Sequence, residues 1–390
     1  MCSQTSLSHQ AASLTADVVI VGAGPSGCSA AWGLAVNGLR VLLLDRTEFP
    51  RKKTCAGGLT VKAVRALGYS IAPVIQRSVC NLSVSCRMRH PKLLKSNAPI
   101  CHMVERSAFD YFCLRKTVSA GARFAVVKRI DKVVESDRSV SLVTDGGVIR
   151  ARFLIGADGA HSRVRRLTGR FTRFRPGFAV EGRVDRAPPN DLNMGFDFSR
   201  VAGGYGWVFP KAEHINVGLY TLRSDVRITR QDLVDYSVRR IGRPVPTRIT
   251  GSPLGMGGWR YRPGCGRVLL VGDAAGLVDP LLGEGLYHAI ISGQEAASAI
   301  LDAMDSGRDA CKTYAQGLMP SQRDLIFALA ASNAFYMLPG MGHLLLISPP
   351  ARIALMTGFS QGVSLLEIFR YGYRFWFGLP VPASRKQNYF

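Results

Sequence analysis

The chain has 390 residues, 47% of them hydrophobic, which is enough for one large α/β domain and a smaller second one. Lys and Arg outnumber Asp and Glu by 50 to 27, for a formal charge of +23. This excess favours an anionic partner. No nucleic-acid-binding module accompanies it, so a membrane surface or an anionic substrate ranks above nucleic acid. The nine cysteines lack paired spacing, which predicts a reducing compartment and no metal site or disulfide framework.

Residues 1–16 carry no Lys, Arg, Asp or Glu and are rich in Ser and Thr. We interpret them as a mobile leader. A secretory signal would need a basic start and an apolar core, and a transit peptide would need arginines. The expected location is cytoplasmic, with peripheral attachment to a membrane.

The first motif is the strand, glycine-rich turn, helix and second strand at residues 17–46, DVVIVGAGPSGCSAAWGLAVNGLRVLLLDR. A helix is predicted from Pro25 to Val36. Gly22 permits the tight turn, and Gly27 lets the helix lie close to the strand. The helix N-terminus favours phosphates, and an acid ending the second strand suits a ribose diol. The cofactor-binding residues predicted here are Gly22, Ala23, Gly24, Pro25, Ser26, Gly27, Asp45 and Arg46.

The next loop carries Cys55 in the sequence KTCAGG (53–58), before a helix that starts near Thr60. A cysteine in this position is either a small buried residue or an exposed thiol that a helix N-terminus activates. Both interpretations stay open on the sequence alone.

The middle of the chain alternates strands and a helix. A hairpin that lies outside the nucleotide-binding domain is predicted near residues 78–104. A helix is predicted from Arg106, whose side chain is either a candidate for phosphate or adenine-side contacts or a simple surface arginine. Strands are predicted at 122–135, 139–144 and 148–155. The last of these runs into GADGAHSRVRR (156–166), where Asp158 is a second candidate for cofactor binding and a dense run of arginines begins.

A second motif of the same kind, GRVLLVGDAAGLVDPLLGEGLYHAI, occupies residues 266–290. A strand ends at Gly272, and Asp273 follows it. Asp273 can hold the hydroxyls of a ribityl chain, while small residues let the backbone lie against a flat ring. A helix start then turns N–H groups toward the ring edge. The cofactor-binding residues predicted here are Gly272, Asp273, Gly283, Gly285 and Leu286.

These three motifs, GAGPSG, GADG and GDAAG, resemble those of the FAD-binding fold shared by aromatic hydroxylases, flavin halogenases and geranylgeranyl reductases. The resemblance covers residues 17 to about 304. It implies an α/β protein in which a Rossmann-type FAD-binding domain carries an inserted antiparallel β-sheet substrate domain, followed here by a helical C-terminal region.

Two further stretches resemble the geranylgeranyl reductases in particular. YGWVFP (205–210) resembles the family's YxWxFP signature, and KTCAGG resembles its cysteine loop, although the family usually has Gly where Ala56 stands. The resemblance implies that Cys55 is catalytic. Alternation along a strand puts the three aromatic side chains on one face, beside an apolar substrate. These are Tyr205, Trp207 and Phe209.

The end of the chain, residues 306–390, is predicted to be helical and apolar. Prolines and glycines interrupt it, so a single spanning helix is improbable. The aromatic and basic stretch 358–377 is interpreted as an interface-seeking end or as a cap on the flavin domain. The domain division expected is 1–16 leader, 17–175 and 262–305 FAD-binding segments, 176–261 substrate domain and 306–390 C-terminal region.

The function implied is reduction of carbon–carbon double bonds in an isoprenoid or similar apolar lipid, with FAD as cofactor and NADPH or reduced ferredoxin as electron donor. Two alternatives stay open. One is an FAD monooxygenase or dehydrogenase acting on an aromatic or polyketide-type metabolite. The other is a non-catalytic lipid-binding chaperone on the same scaffold.

Overall fold

The computed structural model describes residues 14–245, 249–377 and 379. Residues 1–13 of the predicted leader therefore lie outside the described chain, as do 380–390 of the predicted C-terminal region. The chain from Leu14 onward is in a strand, so regular structure starts two residues before the predicted end of the leader.

The described strands, in chain order, are β1 Leu14–Val21, β2 Val41–Asp45, β3 Gly58–Thr60, β4 Ile75–Val79, β5 Asn81–Cys86, β6 Arg89–Lys95, β7 Cys101–Val104, β8 Arg123–Val126, β9 Ile130–Glu135, β10 Val140–Thr144, β11 Gly147–Gly156, β12 Arg175–Val184, β13 Met194–Phe198, β14 Gly204–Pro210, β15 Ile215–Thr221, β16 Thr250–Met256 and β17 Val268–Leu270.

The described helices are α1 Pro25–Val36, α2 Val61–Ala66, α3 Arg106–Ser119, α4 Arg163–Leu167, α5 Arg230–Ile241, α6 Leu286–Ser306, α7 Ala310–Met337, α8 Pro339–Ile347, α9 Pro349–Ser360 and α10 Leu365–Trp376. Short 3₁₀ turns cover Ala72–Val74, Gly258–Arg260 and Gly272–Ala275. Helix α1 matches its predicted bounds.

The first sheet has the order β8-β2-β1-β11-β10-β9, with β17 also paired to β11. Its centre is parallel: β2, β1, β11 and β17 point the same way, while β9 and β10 form an antiparallel extension. The central strands are continuous runs of Val, Leu and Ile because helices cover the sheet. The glycine-rich turn after β1 and the turn after β17 therefore meet at the carboxyl edge, where such sheets bind ligands.

The second sheet has the order β16-β12-β15-β14-β13-β5-β6. All described pairings in it are antiparallel except β13 with β5, which is parallel. The predicted hairpin thus divides: β5 and β6 extend this sheet, whereas β7 joins β3 and β4 in a small third sheet. One face of β14 looks onto the main cavity.

Helices α6 to α10 pack against one another in sequence. In addition, α6 packs against α1, and α8 and α9 contact β5 and β6 of the second sheet. Pro339 and Pro349 are the first residues of α8 and α9. A proline is tolerated there because an N–H group at the first helical position would have no partner within the helix. Among the described residues no single helix is long and apolar enough to cross a membrane; the pair α7 and α8 passes that test only together, and it bends by 113°. The chain thus turns sharply at Leu338.

Candidate active site

The main cavity, of about 1060 Å³, lies between the first sheet, the second sheet and the C-terminal helices. Single small-molecule sites usually span about 300–1,000 Å³, so the cavity has room for a large cofactor with a second ligand. Of the predicted site residues, those that line it are Gly22, Gly24, Pro25, Ser26, Asp45, Arg46, Cys55, Arg106, Asp158, Tyr205, Trp207, Phe209, Asp273, Gly283, Gly285 and Leu286. Ala23, Gly27 and Gly272 lie behind this surface.

The glycine-rich turn needs glycine for two different reasons. Gly22 has φ of +106°, and a Cβ there would lie 2.3 Å from the carbonyl oxygen of Ala157. A Cβ on Gly27 would lie 1.8 Å from the carbonyl oxygen of Gly22, so α1 could not approach the turn. Gly27 therefore acts on the packing of α1 rather than on the cavity surface.

Asp45, at the end of β2, accepts a hydrogen bond of 2.9 Å from the backbone N–H of Ala23. Its other carboxylate oxygen accepts from the backbone and hydroxyl of Thr47. The acid thus joins the end of β2 to the turn after β1 while lining the cavity.

Arg51 was not anticipated from the sequence. Its guanidinium lies 3.4 Å from Asp110 and 3.8 Å from Asp45, and a Cβ on Gly24 would come within 3.6 Å of it. Its buried Nε has no hydrogen-bond partner among the described residues. The only available signal was the basic run RKK (51–53) before the cysteine loop.

The N-terminus of α1, beside Arg51, has no side-chain cap. Unpaired N–H groups of a helix start and an unpartnered guanidinium nitrogen are the donors that a pyrophosphate requires, and Gly24 leaves room for its approach. These residues fit FAD, and a ribose contact for Asp45 stays a prediction. Its reduced isoalloxazine would supply a hydride.

Asp158 caps the short helix α4. Its carboxylate accepts from the Ser162 hydroxyl at 2.5 Å and from the backbone N–H groups of Arg163 and Val164 at 2.6 and 3.1 Å. Burial raises the pKa of this carboxyl, and these hydrogen bonds oppose the shift. These three hydrogen bonds use most of the acceptor positions of the carboxylate. Its predicted cofactor contact would therefore use an acceptor position that they leave free.

Asp273 is the second residue of the 3₁₀ turn after β17, and its Oδ2 accepts weakly from the Gly255 N–H at 3.4 Å. Burial raises its pKa, an effect that nearby Lys53 opposes. With this single long hydrogen bond, the carboxylate keeps free acceptor positions toward the cavity, as a ribityl contact requires.

The loop 280–282 that leads to Gly283 is held by three tyrosine hydroxyls. Tyr205 donates to the carbonyl of Leu282, Tyr220 to that of Pro280 at 2.9 Å and Tyr336 to that of Leu281 at 2.8 Å. These tyrosines come from β14, β15 and α7, so the second sheet and a C-terminal helix fix the loop of the second motif. Only the first was singled out from the sequence.

Arg106 is buried and makes two hydrogen bonds to Asp110, at 2.8 and 3.0 Å. Burial acts to lower its pKa, but Asp110 and a hydrogen bond to Cys55 raise it overall. The guanidinium therefore lies between α3 and the cysteine loop. A phosphate or adenine contact for it stays a prediction.

Cys55 is half-buried and faces the cavity, with its Sγ 3.4 Å from the backbone N–H of Gly57. Its own N–H donates to Glu181 at 2.8 Å. Gly57 has φ of +70°, and a Cβ there would lie 2.2 Å from the carbonyl of Val104. Cys55 is thus neither fully buried nor fully exposed. Its thiol shares a cavity with the motifs predicted to bind the cofactor.

The aromatic residues of β14 form one wall of the cavity and are each at most 9% exposed. The indole N–H of Trp207 donates to Asn216 at 2.7 Å. A Cβ on Gly218 would lie 2.0 Å from the indole, so the glycine lets the ring lie flat on β15. Beyond this wall the cavity continues between the second sheet and α7 to α9, along Leu82, Val84, Leu94, Phe196, Phe198, Phe335 and Leu346.

The arginines of the run that begins in GADGAHSRVRR lie in different environments. Arg165 is buried, donates to the carbonyl of Ala274 at 3.1 Å and lies 3.6 Å from the ring centre of Phe174. Arg163 and Arg166 line the cavity, while Arg170 pairs with Glu135 at 2.8 Å. Part of the run is thus structural.

The fold and this site define an FAD-dependent oxidoreductase. Residues 15–180 match the FAD binding domain family. The chain is 34% identical over 316 residues to digeranylgeranylglycerophospholipid reductase 1 of Methanopyrus kandleri, covering 74% of this chain and 81% of that protein. It is 32% identical over 326 residues to menaquinone reductase of Mycobacterium tuberculosis, covering 75% and 78%. The chain belongs to the geranylgeranyl reductase family of FAD-dependent oxidoreductases, which confirms the resemblance described above.

Solved structures agree on the fold. A geranylgeranyl bacteriochlorophyll reductase-like protein from Thermoplasma acidophilum superposes with a TM-score of 0.73 at 23% identity, over 93% of this chain and 96% of that one. A flavin-dependent brominase does so equally well, with a TM-score of 0.73 at 20% identity over 93% and 99%. The scaffold is therefore shared by reductases and halogenases, and the reaction must be argued from the site.

Proposed function

We propose that this protein saturates carbon–carbon double bonds in an isoprenoid-type or similarly apolar chain, using hydride from reduced FAD. The observation that carries the proposal is a single cavity with three parts. The two glycine-rich motifs line one part, Cys55 lies beside them, and an aromatic and aliphatic channel leads away from both. An apolar chain in that channel would place its alkene next to the thiol.

The protein's own residues would act on position, solvent and protons. Trp207 and Phe209 align the chain and exclude water, since a buried aromatic wall contacts an alkene closely without competing hydrogen bonds. Cys55 would deliver a proton to the second alkene carbon, directly or through a water. NADPH or a reduced carrier such as ferredoxin would supply the electrons.

The test uses the purified holoprotein, pre-reduced and mixed with a geranylgeranyl lipid under anaerobic conditions. We expect saturated product by mass spectrometry at the rate of flavin reoxidation. Cys55→Ala should keep FAD and lose product formation by about 100- to 10,000-fold, as for a removed general acid. Reoxidation in Cys55→Ala at the wild-type rate would make the cysteine structural. Substrate-dependent oxygen uptake without saturated lipid would replace the proposal by a monooxygenase.

We also propose that the protein binds the surface of an anionic membrane through a docking face formed by the α7–α8 bend and the β5–β6 hairpin. The apolar side chains of this face are exposed by 57% to 79%: Met337, Leu338, Met341, Leu344 and Leu345. The hairpin adds the exposed Arg89, Lys92 and Lys95, and it packs against α8 and α9. Apolar residues beside basic ones suit an anionic lipid surface.

The docking face is continuous with the substrate channel. Leu346 follows two exposed leucines in α8, yet it lines the cavity, as does Leu355 of α9. Helix α8 is thus the wall between the channel and the exterior. A lipid leaving the bilayer at this face would have a short apolar route to the site. Residues 358–377 were interpreted from the sequence as an interface-seeking end or as a cap on the flavin domain. Within this stretch, Phe369 of α10 is exposed, whereas Phe359 of α9 lines the cavity.

A further inference from the structure

A second, polar cavity of about 140 Å³ lies behind the cysteine loop. Its lining is Lys53, Cys55, Glu105, Arg106, Glu181, Gly182, Arg183, Lys211, His214, Asn216 and Thr250. Four of these residues also line the main cavity: Lys53, Cys55, Arg106 and Glu181. They form a single layer that separates the two spaces. A liquid water occupies about 30 Å³, so the smaller cavity has room for a short chain of waters among its polar groups.

Glu181, on β12, is the carboxyl group in this layer, and it is 8% exposed. It accepts the N–H of Cys55 at 2.8 Å and a hydrogen bond from Asn216. Asn216 in turn accepts the indole N–H of Trp207 at 2.7 Å. Glu181 is therefore the junction between the cysteine loop and the aromatic wall. Each carboxyl oxygen has two acceptor directions, so two remain for solvent or a proton.

The outer part of the polar cavity is a cluster of charged groups around Glu105, which follows β7. Its Oε1 lies 2.9 Å from Nε2 of His214 and 3.1 Å from Nζ of Lys211. Lys211 is buried, whereas the Glu105 side chain is 31% exposed. Glu105 thus connects the polar cavity with solvent.

We propose that Glu181 relays protons from this polar cavity to the Cys55 side of the main cavity. The inference rests on the proposed function. For each double bond, FAD held in its reduced form would supply two electrons and one hydrogen, as hydride, to one carbon. The Cys55 thiol gives its proton to the other carbon. Glu181 then returns a proton to the sulfur, through a water where needed, and is itself reprotonated from the polar cavity, so one solvent proton is consumed.

The charges that face Glu181 suit this role. Burial raises the pKa of Glu181. The groups that act to lower this pKa are the N–H of Cys55, Lys211, Asn216 and Arg106. The other charged and polar groups that line the polar cavity are Lys53, Arg183, Glu105, His214 and the neutral Thr250. A carboxyl whose pKa is raised by burial keeps its proton to a higher pH than an exposed carboxyl does, which favours proton transfer.

The first experiment measures alkylation of Cys55 by iodoacetamide against pH in the full-length protein, with the modified peptide quantified by mass spectrometry. Glu181 accepts the backbone N–H of Cys55, so an ionised Glu181 would disfavour the thiolate of that residue, and a nearby like charge shifts a pKa by about 1 unit or more. Glu181→Gln should therefore alkylate about tenfold faster above the Glu181 transition, and that transition should vanish from the profile. Glu213→Gln, at an exposed site in the β14–β15 turn, should behave as wild type.

The second experiment measures repeated turnover of protein kept reduced by excess dithionite under anaerobic conditions. Glu181→Gln retains an acceptor for the Cys55 N–H but cannot carry a proton, so repeated turnover should fall by about 100-fold or more while FAD content is unchanged. Glu181→Asp should restore part of the rate with a shifted pH profile. A merely structural glutamate would leave Glu181→Gln near wild type in both experiments, and that result would overturn the relay.

The two proposals fail in different ways. If the wild-type protein saturates no lipid, the proposed function is wrong, whatever the alkylation profile shows. If the wild-type protein saturates lipid but the alkylation profile has no transition that depends on Glu181, the relay is wrong and the function stands. Loss of folding in Glu181→Gln would be detected by circular dichroism, and Glu181→Asp would then carry both measurements.

Discussion

The ammonium group of Lys62 lies 2.9 Å from a carboxylate oxygen of Glu284, and both side chains are nearly buried. Thr60 donates to the other oxygen of the same carboxylate at 2.5 Å. Glu284 stands between Gly283 and Gly285, so this ion pair fixes the loop of the second motif to the start of α2. Burial acts to lower the pKa of Lys62, but Glu284 raises it overall.

Lys62→Met should leave Glu284 buried without its cation and destabilise the protein by about 3–5 kcal/mol, as when one partner of a buried pair is removed. Thermal unfolding measures the effect, and Lys62→Met with Glu284→Gln should recover much of the loss. Arg40→Met, which breaks the exposed pair with Asp17, should change the midpoint little. Equal effects of the two single substitutions would contradict the assignment.

Asp273→Ala should weaken FAD retention by about 1–3 kcal/mol, the cost of losing a buried polar partner. The reason is the free acceptor capacity of its carboxylate toward the cavity. Fluorescence titration of apoprotein with FAD gives the affinity, and Asp137→Ala in the exposed β9–β10 turn is the matched control. Unchanged affinity would remove Asp273 from the cofactor site.

Gly218→Ala should displace the indole of Trp207, because the added Cβ would lie 2.0 Å from the ring. Overpacking of this kind costs about 1–3 kcal/mol. We expect a shifted tryptophan emission, a raised KM and partly reduced products from a misplaced chain. Gly340→Ala, with nothing within 4 Å, should leave all three unchanged. Wild-type product distribution in Gly218→Ala would show that the indole does not align the substrate.

Stability between pH 5 and pH 2 should depend on Glu105. A hydrogen bond from His214, helped by Lys211, holds its pKa at about 2, below the ordinary 4.5. A carboxyl with a depressed folded-state pKa stabilises the protein fully above 4.5 and loses that contribution as pH falls toward 2. The difference in unfolding midpoint between wild type and Glu105→Gln should therefore shrink over this range. A constant difference would contradict the depressed pKa.

Leu344→Glu with Leu345→Glu should abolish flotation with anionic vesicles. Ile326→Glu, at an exposed position of α7 outside the docking face, should not. Lys92→Gln with Lys95→Gln should weaken binding by about 1 kcal/mol per residue, and less at high salt. Equal flotation with neutral and anionic vesicles would refute the electrostatic part, and full binding of the double glutamate variant would refute the docking face.

Much of the cofactor end of the site follows from local sequence. The turn at Gly22, the helix from Pro25 and the strand ending at Asp45 are contiguous, and their periodicity and glycine spacing determine how they fold. The alternation at β14 likewise determined that Tyr205, Trp207 and Phe209 share a face. These are short-range consequences of backbone geometry, so they can be read from the chain without its partners.

Tertiary structure alone decided which distant residues meet. The hydrogen bond between Cys55 and Glu181 joins residues 126 positions apart, and the hydrogen bond between Thr60 and Glu284 joins residues 224 positions apart. No local pattern marks Glu181 or Arg51, because an acid in a strand or a basic run in a loop is ordinary until its burial is known. Sequence determined the motifs. Packing of two sheets and the C-terminal helices determined which charged residues lie around them, since such contacts depend on strand order and not on spacing along the chain.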